Sequence, residues 1–172
     1  MPSRPRFVST TFDRSVHDVT RFDCGEPDMD SWLREHAAVA ARARVARTFV
    51  WVADGGAEVV GYYALSAHAV PRAQAPSRIG RGFPDPVPAA LIGKLALDHS
   101  LHGQRLGDLL LVDALGRVIE ASKSGPAVRA IVVDASTARG RALYTRFGFV
   151  LAPGRGDRMI VRAETVASAL QR

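Results

Sequence analysis

The apolar positions fall into two rhythms. Alternation and short unbroken runs predict strands, and recurrence every three or four residues predicts helices. Phe7 to Phe12 predicts an edge strand. Phe22-Asp23-Cys24-Gly25-Glu26-Pro27 is a turn into a helix, since Pro27 suits a first helical position, where its missing N–H has no partner to lose. Met29, Trp32, Leu33, His36, Ala37 and Ala40 then recur at helical spacing, which puts His36 on the apolar face. Thr48 to Ala53 and Glu58 to Ala69, rich in β-branched and aromatic residues, predict two strands joined by a hairpin at Asp54-Gly55-Gly56-Ala57. Leu91 to Leu97 predicts a buried strand, and a helix opens at Leu109 and runs to about Ser122. A second buried strand spans Val128 to Asp134, a helix Ser136 to Phe147, a turn Pro153 to Gly156, a last strand Met159 to Val161, and a short helix residues 163–172.

Residues 71–88 break both rhythms. Five of the ten prolines lie there with Arg72, Arg78 and Arg81. Proline interrupts helix and ladder alike, so the segment reads as an exposed loop, and long loops in compact domains tend to carry function. No repeat or linker divides the chain, and its 172 residues suffice for one core, so one domain over residues 1–172 is expected.

Composition narrows the class. No apolar run reaches the ~20 residues of a membrane span. The first six residues, Met1 to Arg6, lack the apolar stretch of a signal peptide. The single cysteine, Cys24, excludes an internal disulfide and reads as a small buried residue. A cytoplasmic protein with no membrane partner fits. The net charge is +6, and of 23 basic residues only Lys94 and Lys123 are lysines. Arginine's planar fork suits phosphate, so a nucleic-acid partner is one explanation; an arginine-biased solvated surface is the other. Arg42, Arg44 and Arg47 likewise suit either a helix C-terminus or RNA.

The most informative stretch is Lys94-Leu95-Ala96-Leu97-Asp98 followed by His99-Ser100-Leu101-His102-Gly103-Gln104-Arg105-Leu106-Gly107-Asp108. Strand, glycine loop and helix start together make a phosphate cradle, because the first helical N–H groups are unpartnered and the helix dipole favours an anion there. A tight turn is the alternative on these residues alone. The glycines lie four apart, unlike a dinucleotide fingerprint, and no Lys-Ser or Lys-Thr completes a Walker loop. His99 and His102 have no third ligand in view, so no metal is expected.

About thirty residues on, Val128 to Asp134 leads into Arg141-Ala142-Leu143-Tyr144-Thr145-Arg146-Phe147-Gly148-Phe149. With the glycine loop, this resembles the GNAT acyl-CoA N-acyltransferases over roughly residues 45–162. The resemblance implies an α/β (α+β) fold, a single domain whose mixed central sheet splays between flanking helices, and acetyl-CoA as co-substrate. It implies that Leu95 and Leu97 offer backbone groups to the pantetheine arm and that Gly103, Gln104, Arg105, Leu106, Gly107 and Asp108 hold the pyrophosphate. Tyr144 falls on the family's catalytic tyrosine, whose phenol protonates the departing thiolate from the start of its helix. Two positions depart from the family loop: His102 stands where Gln or Arg is usual, and Arg105 where Gly is usual. An arginine cannot cheaply adopt positive φ, though it adds a cation for a coenzyme A phosphate.

No glutamate lies between Glu58 and Glu120, so the central strand carries no general base of that kind. A lysine amine, pKa ~10.4, is almost wholly protonated at neutral pH, whereas an α-amine near ~8 is partly neutral. The absence leans towards an α-amino acceptor. From Phe22 to Leu33, through the hairpin and proline-rich loop to Ile92-Gly93-Lys94, the chain looks like the GNAT toxins of type II toxin–antitoxin modules. That resemblance implies acetylation of the α-amine of aminoacyl-tRNA, a block of translation, a neutralising ribbon-helix-helix antitoxin and a homodimer. Residues 139–162 hold six arginines against one acid, Asp157. Arg139, Arg141 and Arg146, with Arg42, Arg44, Arg47, Arg72, Arg78, Arg81 and Lys94, are the candidates for tRNA phosphates. An acetyltransferase of a protein N-terminus or small amine, and a non-catalytic module binding an antitoxin or DNA, are the alternatives.

Overall fold

The computed structural model describes residues 6–172, so the signal-peptide reading of the first residues lies largely outside the described residues. Seven strands form one mixed sheet in the order β1-β2-β3-β4-β5-β7-β6. They are β1 (Phe7–Thr11), β2 (Arg47–Ala53), β3 (Val59–Val70), β4 (Val87–Leu97), β5 (Ala130–Asp134), β6 (Val150–Leu151) and β7 (Arg158–Arg162). The helices are α1 (Pro27–Ser31), α2 (Ala37–Arg42), α3 (Ser77–Gly80), α4 (Leu106–Ser124), α5 (Ala138–Arg146) and α6 (Ala163–Leu170). No helix among the described residues is long and apolar enough to cross a membrane. The chain divides into two compact units: residues up to Leu65 with Lys94–Asp113, and Ser66–Gly93 with Ala114–Arg172.

In the first unit, β1 and β3 both pair antiparallel with β2, and a bulge falls at Trp51/Val52. Gly55 makes the hairpin turn at φ 77°. β2 is apolar on both faces and is buried from Thr48 to Val52. Its core gathers Phe22, Leu33, Ala37, Val50, Val52, Val59, Tyr62 and Ala96. Each large apolar side chain so buried contributes roughly 1.5–3 kcal/mol. Tyr62 is placed by a hydroxyl bond to the Met29 carbonyl at 2.7 Å and by a parallel stack on Trp32 at 6.0 Å. Asp113 Oδ2 accepts from Ser9 Oγ at 2.6 Å, Tyr63 Oη at 2.8 Å and Trp51 Nε1 at 3.2 Å, so one carboxylate ties three strands to α4. Cys24 is buried, and burial pushes its thiol up to about 12, which makes it inert at neutral pH.

His36 is exposed, contrary to its place on the apolar stripe. Trp32–His36 forms a π turn in which the Ala37 N–H reaches back to the Trp32 carbonyl. The wider turn shifts the phase of the helix, so Leu33 and Ala37 point inward and His36 does not.

In the second unit, β5 runs parallel to β4 from Ala89↔Ala130 to Ile92↔Val133 and antiparallel to β7, and β6 pairs with the far edge of β7. Val70, Ile79, Val87, Ala89, Ala130, Val132 and Ile160 make its core. Residues 71–88 are not a bare loop. A 3-10 turn (Arg72–Gln74) and the short α3 occupy them, Ile79 enters the core, and β4 begins at Val87, so Pro88 lies in a strand. Pro71 and Pro76 stand immediately ahead of helical turns, where a missing N–H breaks no helical bond. The two-residue β6 is too short to leave a pattern in the sequence.

Candidate active site

The first unit holds the glycine loop. β4 ends at Leu97 and Asp98 caps a 3-10 turn over His99–Leu101. Asp98 Oδ1 accepts from the Ser100 amide at 3.0 Å and hydroxyl at 2.7 Å, and Oδ2 from the Asp23 amide at 3.1 Å. Burial opposes the charge, but these hydrogen bonds outweigh it and hold the Asp98 carboxyl below the usual carboxylate range. His99 Nδ1 donates to the Asp23 carbonyl at 2.8 Å, which holds its imidazolium above the usual range. His102 Nε2 donates to the Leu97 carbonyl at 2.7 Å. That carbonyl belongs to one of the two residues expected to meet pantetheine, so its second lone pair is the one left for a ligand.

α4 begins at Leu106, one turn earlier than Leu109. Gly107 and Asp108 are therefore helical, and the loop is Gly103 to Arg105. Gly103 sits at φ 79° and Arg105 at φ 57°. Arg105 thus takes the left-handed conformation that the family glycine would take, and the turn closes in spite of the departure. A non-glycine residue there costs roughly 1–2 kcal/mol. Arg105 is exposed and makes no hydrogen bond or ion pair among the described residues, so its charge is committed to no internal partner. Leu95, Lys94 and Leu106–Asp108 are half-buried, Leu97 is buried, and Gly103–Arg105 are exposed. Lys94 lies with its ammonium 5.9 Å over the Trp32 ring. Arg42, Arg44 and Arg47 are exposed where α2 ends and β2 begins, and Arg44 is also left-handed, at φ 58°.

The second unit holds Tyr144. Thr137 caps α5, its hydroxyl accepting from the Gly140 amide at 3.0 Å, and Gly148 at φ 87° ends the helix. Tyr144 therefore lies in the last turn of a nine-residue helix, not at its start. It is buried, with its ring 5.6 Å from Phe149. Arg139, Arg141 and Arg146 are exposed on the same helix. Arg141 Nη2 donates to the Gly156 carbonyl at 3.2 Å and lies 3.8 Å from Asp157. Arg72, Arg78 and Arg81 are exposed in residues 71–86.

One constellation in this unit was missed in the sequence. Arg158, the first residue of β7, grips Asp134, the last of β5, through Nε–Oδ1 and Nη2–Oδ2, both 2.9 Å. Arg158 Nη1 donates to His68 Nε2 on β3 at 2.8 Å. Arginine only donates, so Nε2 accepts and the imidazole is the neutral Nδ1–H tautomer. Burial and then the Arg158 charge hold His68 below the usual histidine range, while the Arg158 bonds do the same for Asp134 among carboxylates. A histidine whose lone pair is already occupied is not placed to deprotonate an ammonium. Partners so far apart in sequence leave no spacing signal; only the acid ending an apolar run at Asp134 hints at them.

No protein-family model matches the chain. Over 151 residues it is 42% identical to the tRNA-acetylating toxin of Mycobacterium tuberculosis (strain ATCC 25618 / H37Rv), which covers 88% of this chain and 86% of the relative. The structure of AtaT complexed with acetyl-methionyl-tRNAfMet superposes with a TM-score of 0.86 at 24% identity, covering 96% of this chain and 99% of the other. A mutant AtaT toxin bound to the C-terminus of the antitoxin AtaR gives 0.82 at 22%, with the same coverage. The two structures establish the shared GNAT-toxin fold. The chain belongs to the tRNA-acetylating toxins of that fold.

Proposed function

We propose that this chain is an acetyl-CoA:aminoacyl-tRNA N-acetyltransferase toxin that blocks translation by capping the α-amine of a charged tRNA. The observation that carries it is the 42% identity, along most of both chains, to a tRNA-acetylating toxin. In the reaction the neutral α-amine attacks the thioester carbonyl carbon, the C–S bond breaks, and the Tyr144 phenol protonates the departing thiolate. The phenolate regains a proton from the new amide nitrogen through solvent. With no glutamate between Glu58 and Glu120 and His68 already occupied by Arg158, the chemistry favours an acceptor that is partly neutral unaided, which an α-amine is.

Gly103, Gln104, Leu106, Gly107 and Asp108 form the cradle for the pyrophosphate, Arg105 adds a phosphate cation, and Leu95 and Leu97 pair with the pantetheine arm. The left-handed Arg105 supports the cradle, since the turn a glycine would make is present. The non-catalytic reading rested on that departure and loses its ground. Arg42, Arg44, Arg47, Arg72, Arg78, Arg81, Lys94, Arg139, Arg141 and Arg146 are the tRNA-contacting set, chiefly through phosphates. Neutralisation by a ribbon-helix-helix antitoxin, a homodimeric state and a cytoplasmic location complete the proposal; the AtaT–AtaR complex, on a chain of this fold, supports an antitoxin partner.

The test is incubation with labelled acetyl-CoA and a pool of charged and uncharged tRNAs, then nuclease digestion and mass spectrometry of the terminal aminoacyl-adenosine. Acetyl on the amino acid of charged tRNA is expected; label on peptide or amine alone overturns the proposal. Tyr144→Phe should lower turnover by about 10²-fold or more with acetyl-CoA binding retained, and an undiminished rate removes Tyr144 from the mechanism.

A further inference from the structure

Residues 71–86 hold an aromatic that the acetyl transfer does not use. Phe83 is 39% exposed, yet both its ring and its backbone are held. The Arg129 guanidinium lies 3.8 Å from its ring centroid. Arg129 is itself placed by a bond from Nε to the Ile79 carbonyl at 3.4 Å and by Glu164, 4.0 Å from Nη1. The backbone is held as well: Arg72 Nη2 donates to the Phe83 carbonyl at 2.7 Å, and the Arg72 amide donates to Asp85 Oδ1 at 2.9 Å. Next to Phe83 in the chain is an open cavity of about 280 Å³, lined by Arg72, Ala75, Ser77, Gly80, Arg81 and Gly82. The segment carries Arg72, Arg78 and Arg81 against the single acid Asp85, whose carboxylate already serves the Arg72 amide. Neither Arg72 nor Arg81 forms an ion pair among the described residues.

An exposed aromatic held still by arginine is an ordered π surface at little further entropic cost. Every base has a face that such a surface accepts, and the neighbouring guanidiniums suit the phosphates on either side. A duplex hides its base faces, so the ligand must be single-stranded. We propose that Phe83, backed by Arg129, is a stacking platform for an unpaired base at the single-stranded 3′ end of the acceptor RNA, with Arg72 and Arg81 on its phosphates. This rests on the RNA substrate proposed above and names the part of it that the segment reads.

The test compares mixed tRNA with its 3′ CCA intact against the same tRNA trimmed of those nucleotides, by fluorescence anisotropy at fixed salt. Phe83→Leu keeps apolar volume and removes the π face; Phe83→Trp keeps the face; acetyl-CoA binding reports folding in both. Phe83→Leu should weaken intact tRNA roughly five- to hundredfold, Phe83→Trp should not, and trimmed tRNA should bind wild type and Phe83→Leu alike. Equal affinity of Phe83→Leu and wild type for intact tRNA overturns the platform, as does an equal loss on trimmed tRNA. A Phe83→Leu protein that keeps its RNA affinity but escapes its antitoxin also overturns it, and assigns the surface to a protein. Failure of the wild type to acetylate any charged tRNA sinks the functional proposal instead, and the anisotropy series tells the two apart.

Discussion

The connection from β4 to α4 and the connection from β3 to β4 are both long and polar, but they are held by opposite means. The first is closed by its own side chains. Asp98 gathers Ser100 and Asp23, and His102 ties the turn back to Leu97. Arg105 is left exposed at its tip in a strained conformation. The second is held largely from outside, by Arg129 against Phe83 and Ile79, and by Arg72 across its neck. A self-closed loop keeps its shape when empty and can offer backbone N–H groups to an anion at once. A segment clamped by cations keeps positive charge on its surface, which suits a polyanion that arrives from solution.

Breaking the self-closed loop should have the largest effect. Asp98→Ala removes an ionised acceptor serving three donors; a bond to a charged group is worth about 1.5–3 kcal/mol net, and bonds that share one carboxylate do not add. A stability loss of about 2–3 kcal/mol is expected, read as a lowered midpoint in urea, together with weaker acetyl-CoA binding. An unchanged midpoint would mean that the turn closes without Asp98. Arg129→Met tests the other loop. It keeps aliphatic length but removes the stacked charge, worth about 0.5–2 kcal/mol. Stability should fall by about 1 kcal/mol, tRNA affinity should fall with it, and acetyl-CoA affinity should stay; a matched loss of acetyl-CoA affinity would erase the contrast between the loops.

Arg105→Gly sharpens the contrast in the opposite sense. Glycine relieves the left-handed arginine but adds freedom to the unfolded chain, so the net gain is about 0.5–1 kcal/mol. If the strain is kept for a phosphate, acetyl-CoA should bind several-fold more weakly to the more stable protein. Greater stability with unaltered acetyl-CoA affinity would make Arg105 a tolerated accident of the loop.

The same two loops mark what the sequence disclosed. Gly103, Gly107 and the apolar runs around them are local signals, so the strand–loop–helix unit is legible within about three residues; α4 starts early because Asp98 and His102 close the turn sooner than the polar letters suggest. The place of Tyr144 on α5 was not legible, since the Thr137 cap and Gly148 that fix the helix ends act through backbone geometry. Residues 71–88 read as a loop because proline density speaks only of what is interrupted; the short helices there are stabilised by Ile79 in the core and by Arg129, fifty residues away. His36 shows the same limit, as a π turn has no composition of its own.

A third connection, from β5 to α5, combines both means and adds a titratable group, which gives the smallest and most diagnostic effect. Asp134 and Arg158 clamp its start three residues before the Thr137 cap, and His68 accepts from the same guanidinium. Burial disfavours a proton on His68 most, Arg158 and Arg155 add to that, and Asp134 opposes it: the folded-state pKa is lowered. The unfolded chain then binds a proton near pH ~6.5 that the folded chain does not, so stability rises with pH through that window. His68's contribution is fully present above ~6.5 and is lost as pH falls through its folded value. The lowered Asp134 adds a second loss, which begins below ~4. His99, raised by the Asp23 carbonyl, slopes the other way, but it is unaltered in a His68 variant and cancels in the difference. His68→Gln, which retains a carbonyl acceptor for Arg158, should therefore flatten the fall in thermal midpoint between pH ~6.5 and ~5 and leave the lower step in place. Parallel curves for His68→Gln and wild type across that interval would show that the Arg158 bond does not hold His68 neutral.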